Sequence, residues 1–377
     1  MSRKLKVTIA TAGRFHVLYL ARELHLLGHE VRFLSYVPKA RAAKFGLPEE
    51  CHVSLLPFAL PALAWEYLAK QVAPQARERF LYAALNRAAI IKMKECDVFT
   101  CMSGIYLEAA VEAQRRFGAK IWMHRGSRHI LSQDQILSTL PNSERPSSLA
   151  IQRELAGYSV AHRIVIPSDH VEESFRAYPE VHKKLYLNPY GVDVDMFPQR
   201  AEKRPSNPVT ILFVGHWSLR KGCDLLAAAI PQVSGVRLLH VGKILDLPFP
   251  KDDENFSHIE PVPQWELKKF YESADAFVHA SREEGLSTVL GQALASGLPI
   301  ICTDHTGGAN LAHTPALAER IDVIRQGDVA GLANALARLR DRVNREGWRP
   351  LSEFDRKTLS WTAYGSRYSD ELARAFG

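Results

Sequence analysis

Along this 377-residue chain, short blocks that are apolar throughout alternate with longer stretches in which apolar side chains return every three or four positions. The first kind suits strands buried on both faces, the second amphipathic helices. Lys6 to Thr11 reads as a strand, Ala12-Gly13 as a turn, and the next stretch as a helix. Val17, Leu20, Leu24 and Leu27 mark the buried face of that helix and Gly28 is its stop. Val31 to Tyr36 is the next predicted strand, and further strands are expected at Val98 to Cys101, Lys120 to Met123 and Arg163 to Ile166. Strand, glycine turn, helix, strand is the unit of a parallel doubly wound sheet. The full Gly-x-Gly-x-x-Gly fingerprint is absent from the first turn, so a nicotinamide cofactor is not supported.

The pattern restarts after a polar, proline-bearing stretch from Gln199 to Pro208. Strands are predicted at Val209 to Val214, Val236 to Val241, Phe256 to Ile259, Ala276 to His279 and Pro299 to Cys302, with a loop from Gly215 to Gly222 and a helix from Cys223. The fold class is therefore α/β, with two Rossmann-like doubly wound domains facing a central cleft. The expected boundaries are 1–190 for the first domain, 191–208 for a connector, 209–360 for the second domain and 361–377 for a helix packing back on the first. Ligands of such folds bind at the carboxyl ends of the strands, here in the cleft.

Ser281 to Ile301 carries the densest chemistry. It reads as strand end, turn, helix, turn, strand, with Glu283, Glu284 and Gly285 preceding a helix whose first turn is predicted at Leu286 to Thr288. Free N–H groups and the positive helix end would face whatever the carboxylates hold, which suits a ligand with hydroxyls and phosphates.

A hydrophobic content of 46% with 24% charged residues is ordinary for globular domains, and the length suits about two of them. The net charge of +7 is scattered, consistent with phosphorylated ligands, an anionic membrane surface or plain solvation. There is no nucleic-acid-binding module and no basic run with interleaved aromatics. The five cysteines, Cys51, Cys96, Cys101, Cys223 and Cys302, lack metal-ligand spacing and read as small core residues in a reducing compartment. The first apolar run is too short for a signal peptide, and no run spans a bilayer. A cytoplasmic protein is expected, with attachment to the inner face of the membrane allowed.

Several segments together resemble glycosyltransferase family 4, of GT-B architecture. Asn188 to Phe197 is similar to its interdomain segment, and Leu212 to Gly222 to the first strand and phosphate loop of its second domain. Tyr271 to Ser281 resembles the run into its glutamate signature, and Thr306-Gly307-Gly308 the glycine pair that follows. Glu284 fits the first signature position, whereas the second holds Gln292. The resemblance implies a retaining, metal-independent hexosyltransferase-like enzyme that moves a sugar from a nucleoside diphosphate, UDP or GDP, to an acceptor hydroxyl in polysaccharide, lipopolysaccharide or glycolipid assembly. Lys221 would contact the donor diphosphate and stabilise its growing charge. His216 stands where the family has an arginine, and Arg220 is a substitute for it. Glu284 would accept from donor-sugar hydroxyls, with N–H groups of Gly285, Leu286 and Ser287 reaching the diphosphate. Gln292 would bind ribose through its amide. Gly13 and Gly215 match backbone positions that let the diphosphate approach.

On the acceptor side the resemblance points to His124, also a catalytic candidate, and to the run Arg125, Ser127 and His129. Bland readings stand beside each of these. Lys221 could be a solvated lysine before a turn, Glu284 a helix-start acid, Gly13 an ordinary turn and His124 a structural histidine. Glu283 is a backup carboxylate whose offset points it elsewhere. Asp193-Val194-Asp195 has the metal-holding pattern of another glycosyltransferase architecture, but it lies in the connector and no metal is expected. Leu56 to Trp65 reads as an apolar loop. With the basic helix bearing Arg77, Arg79, Arg87, Lys92 and Lys94, it could rest on an anionic membrane and present a lipid-linked acceptor. The rival readings are a sugar-nucleotide epimerase or phosphorylase of similar architecture, and a degenerate non-catalytic sugar-nucleotide binder. The base, sugar, acceptor and oligomeric state are not written in the sequence.

Overall fold

The computed structural model describes residues 3–68, 72–141, 143–199, 206–347 and 350–377. Part of the predicted polar connector, residues 200–205, lies outside the described residues. The first sheet is built from β1 (Lys6–Thr11), β2 (Glu30–Ser35), β3 (His52–Ser54), β4 (Val98–Met102), β5 (Lys120–His124), β6 (Arg163–Ile166) and β7 (Leu185–Leu187), in the order 3-2-1-4-5-6-7. The second contains β8 (Val209–Val214), β9 (Val236–Val241), β10 (Phe256–Ile259), β11 (Ala276–His279), β12 (Ile300–Thr303) and β13 (Ile321–Ile324), in the order 10-9-8-11-12-13. Every pairing is parallel. Val7 faces Val31 on one side and Val98 on the other, and Ile211 lies between Leu238 and Ala276.

Parallel strands covered on both faces are mostly apolar and buried, and the central strands here follow that rule. All six residues of β8 are buried, as are all four of β11 and of β12. Each sheet therefore has two cores, one per face. All five cysteines are buried and free. Burial on this scale stabilises by about 1.5–3 kcal/mol for each fully enclosed large aliphatic or phenylalanine side chain.

The order of each sheet reverses between two neighbouring strands, β1 and β4 in the first and β8 and β11 in the second. At such a switch point the connections leave toward opposite faces and open a crevice at the carboxyl ends of the strands. The chain crosses between the sheets twice, and the crossings lie side by side. The Val192 N–H donates to the Leu359 carbonyl at 2.8 Å and the Trp361 N–H to the Val192 carbonyl at 3.2 Å. The last helix, Trp361–Phe376, then buries Trp361, Tyr364, Tyr368 and Leu372 against Val17, Leu20 and Leu24 of the first helix, Phe15–Leu26.

Four expectations need correction. Strands β3, β7 and β13 were not predicted, because their three or four residues are only partly buried and leave a weak apolar signal. Leu27 is 42% exposed, since the helix ends at Leu26 and Leu27 is its cap. Leu56 to Trp65 is helical rather than a loop, within Leu56–Leu68. One of its prolines, Pro57, is at the second position of the helix, where a missing N–H costs nothing, and Pro61 is tolerated inside it. The helix expected from Leu286 starts at Thr288, leaving Glu283 to Ser287 as a loop.

Candidate functional site

The loops after β8 and β11 are stitched together at the switch point of the second sheet. The Arg282 N–H donates to the Arg220 carbonyl at 2.9 Å, and the Ser281 hydroxyl donates to the same oxygen at 3.0 Å. The Arg282 guanidinium grips both carboxylate oxygens of Asp224 at 2.6 Å. Gly222 has φ +69°, and a Cβ there would stand 2.0 Å from the Ala280 carbonyl oxygen, so only glycine lets the two loops lie this close.

That stitching brings Lys221, Arg220 and Glu284 together. The Lys221 ammonium contacts Glu284 Oε1 directly, and Arg220 Nη1 lies 3.2 Å from the same oxygen. Burial and the neighbouring Arg220 charge pull Lys221 down to about 7, against an upward pull from Glu283. His216 is exposed on the same loop, its imidazole held below its usual value by partial burial and by Lys221. Gly215 gives its carbonyl to the His240 ring at 2.9 Å, so that oxygen is already engaged.

Glu283 points the other way. Its carboxylate is buried, accepts from the Ser127 hydroxyl of the first domain and lies 3.4 Å from both Gln133 Nε2 and Arg220 Nη1. Beside it the Ser168 hydroxyl donates to the Gly285 carbonyl at 2.7 Å, and His170 Nε2 stands 2.6 Å from the Glu284 carbonyl oxygen. The two domains thus meet on this loop. A Cβ on Gly285 would be 1.9 Å from the Gly126 carbonyl oxygen, a backbone-to-backbone approach across the cleft. The Glu284 and Ser287 N–H groups are taken by the His305 and Thr306 carbonyls. Of the three N–H groups expected to face an anion, Ser287 is therefore spent, and Gly285 and Leu286 remain.

Next to this contact is an interdomain cavity of about 440 Å³. From the first domain come Arg14, Phe15, His16, Tyr19 and Gly126; from the second come Thr288 and Gln292. Asp193 supplies a carboxylate from the connector and also accepts from the Met196 N–H at 3.2 Å, as a turn residue would. Gln292 is almost buried, with its amide oxygen accepting from the Tyr271 hydroxyl at 2.9 Å. Gly13 does not line the cavity. The Phe15 ring folds over it, and Phe15 itself has φ +35°, an uncommon backbone setting for a bulky residue.

The acceptor-side candidates are placed differently from their expectation. His124 is 1% exposed and lies behind His16, with His124 Nδ1 2.8 Å from His16 Nε2; its own Nε2 has no partner among the described residues. Burial pushes His16 down to about 3 and His124 well below its usual value, so both are neutral near pH 7. Arg125 is buried, bonding the Arg128 carbonyl and Gln133, with Glu154 at 3.4 Å. His129 caps the helix Ile130–Ser138 and stacks on Tyr178 at 4.0 Å. Of these candidates Ser127 reaches the other domain, donating to Glu283. Sequence reasoning missed His16, Tyr19, Tyr190 and Trp361. The available signal was position, since His16 opens the helix at the first sheet's switch point.

Two sheets of this order match solved structures over nearly the whole chain. Anabaena HepE, solved in complex with UDP-glucose, aligns over 98% of this chain and 100% of its own at 13% identity, with a TM-score of 0.63. The chain has the GT-B fold. Residues 208–342 match the family model described as Glycosyl transferases group 1. The GDP-mannose-dependent alpha-mannosyltransferase of Mycobacterium tuberculosis is 31% identical over 170 residues, 41% of this chain and 42% of that protein. WcaL of Escherichia coli (strain K12), a candidate colanic acid biosynthesis glycosyltransferase, is 26% identical over 193 residues, 44% of this chain and 48% of that protein. The aligned part thus spans less than half the length of either relative. No helix among the described residues is long and apolar enough to cross a membrane.

Proposed function

We propose that this chain is a retaining glycosyltransferase of family 4 that moves a sugar from a nucleoside diphosphate to an acceptor hydroxyl, without a metal, in polysaccharide or glycolipid assembly. The observation that carries the reading is the convergence of Lys221, Arg220 and Glu284 at the switch point of the second sheet, beside a cavity shared by both domains. Two cations there would offset the charge that grows on a departing diphosphate. Glu284 would exchange its ammonium partner for hydroxyls of the donor sugar, and the free N–H groups of Gly285 and Leu286 would add neutral donors. Gln292, on the cavity wall, would offer its amide to the ribose. A donor reaching both regions would part the contact between Gly126 and Gly285.

UDP or GDP is the donor base in this reading, in keeping with the relative named for GDP-mannose and the HepE complex with UDP-glucose. Peripheral attachment to an anionic membrane also belongs to it. Leu60, Tyr67 and Leu68 are exposed on the helix Leu56–Leu68, and Arg79, Arg87 and Lys92 on the helix Pro74–Lys92 beside it. The test is a thermal-shift screen of uridine, guanosine, adenosine and cytidine sugar nucleotides, followed by product analysis with candidate acceptors. A donor at about 100 times its Kd stabilises by about 2.7 kcal/mol. Expected are a shift with one base, slow donor hydrolysis or transfer, and loss of turnover in Lys221→Ala and Glu284→Ala. No shift with any donor, or full turnover in both variants, would sink the assignment.

A further inference from the structure

A second cavity, of about 670 Å³, continues outward from the first, and the two share Arg14 and Gln264. Its first-domain wall carries Arg41 and Lys44, both exposed, and Phe45; its second-domain wall carries Trp265, 53% exposed. The Arg14 guanidinium lies 4.1 Å over the Phe45 ring, which holds it at the junction of the two cavities. No carboxylate among the described residues lines the outer cavity, whereas Asp193 lines the inner one. Arg14, Arg41 and Lys44 have no carboxylate partner among the described residues. Three unpaired cations around one opening make a local positive field far stronger than the modest net charge of the chain would give.

We propose that this outer cavity binds a phosphoryl group carried by the acceptor. The proposal rests on the transferase reading and adds the acceptor class to it. Guanidinium groups match phosphate oxygens two at a time, and a lysine beside them adds a point charge. Trp265 offers a flat apolar face for whatever adjoins the phosphate, a sugar ring or the start of a lipid chain. Because the outer cavity shares Arg14 and Gln264 with the inner one, a phosphate held by Arg41 and Lys44 leaves the rest of the acceptor directed past Arg14 into the cavity lined by both domains.

The probes are octyl phosphate, glucose 6-phosphate and uncharged octyl glucoside, titrated into the full chain while Trp fluorescence is followed. At least one phosphate should bind roughly tenfold or more tightly than octyl glucoside. Its affinity should fall steeply between roughly 0.05 and 0.5 M salt. The double variant Arg41→Glu, Lys44→Glu changes only exposed side chains, and its melting temperature checks the fold. It should lose at least about tenfold in phosphate affinity and keep the nucleotide-sugar affinity of the parent. Preference for octyl phosphate assigns a lipid-linked acceptor, and preference for glucose 6-phosphate a soluble one. Binding of neither phosphate, equal binding of octyl glucoside, or equal phosphate binding by the double variant would overturn the proposal. Nucleotide-sugar titration runs in parallel. Its failure in the parent protein would remove the transferase reading and leave the phosphate result standing.

Discussion

Lys221 at about 7 makes donor binding sensitive to pH in a calculable direction. A diphosphate attracts the ammonium form, so binding to the neutral amine first requires a proton. With that value the lysine is about nine-tenths protonated at pH 6 and about one-tenth at pH 8. Donor affinity should therefore fall about tenfold over this range, or about 1.4 kcal/mol. A sugar nucleotide is the right probe, because both its phosphates are esterified and neither titrates in the window. His216 is depressed below its usual value by partial burial and by the Lys221 charge. Calorimetric titration at pH 6, 7 and 8, in two buffers of different ionisation enthalpy, reads both the affinity and the proton uptake. Lys221→Ala should bind more weakly at pH 6 and lose the pH slope. A flat profile in the parent, or an unchanged slope in Lys221→Ala, would refute the role given to this amine.

Three further outcomes follow from the geometry. Gly285→Ala places a Cβ against the Gly126 carbonyl, so the fold should lose about 1–3 kcal/mol in urea unfolding or the domains should part; unchanged stability together with an unchanged scattering profile would mean the contact is not formed in solution. Ser127→Ala removes a donor from the buried Glu283 carboxylate and should cost about 1–3 kcal/mol, with Glu283→Gln smaller because its amide oxygen still accepts; denaturant midpoints decide this, and a neutral Ser127→Ala would contradict the bond between the two domains. Burial holds His16 at about 3 and His240 at about 4, below their unfolded values. The unfolded chain therefore takes up protons first as pH falls through about 6.5, and each histidine should subtract about 2 kcal/mol of stability between pH 7 and pH 5. A pH-independent unfolding free energy over that interval would contradict their burial.

Strand positions were legible wherever both faces of a strand are covered. Val209 to Val214 and Val236 to Val241 match their elements end to end: all six positions of the first are buried, and the second is apolar except at Arg237 and His240. The edge strands β3 and β13 were not legible. One flank of each is open, fewer positions need be apolar, and their three or four residues carry too little pattern to stand out. The same reasoning explains Leu56–Leu68. Its prolines read as loop punctuation, yet a helix packed against its neighbour can absorb the lost hydrogen bond.

Side-chain direction within the site was the harder quantity. The spacing put Glu283 and Glu284 at the loop before a helix, but successive residues of an extended loop project to opposite sides, and which side faces the cations depends on the partner loop. Gly222 decides it. By letting the β8 loop rest on Ala280, it presents Lys221 and Arg220 to Glu284 and leaves Glu283 facing Ser127. A similar choice separates His16 from His124. The end of a central strand is enclosed by the helices that cover the sheet, whereas the first turn of the helix after β1 stands at the crevice. Chemistry-bearing residues in this chain are thus exposed to the cleft by the loops and helix starts at the two switch points. The strand-end residues behind them act by holding those loops in place, as His124 does for His16 at 2.8 Å.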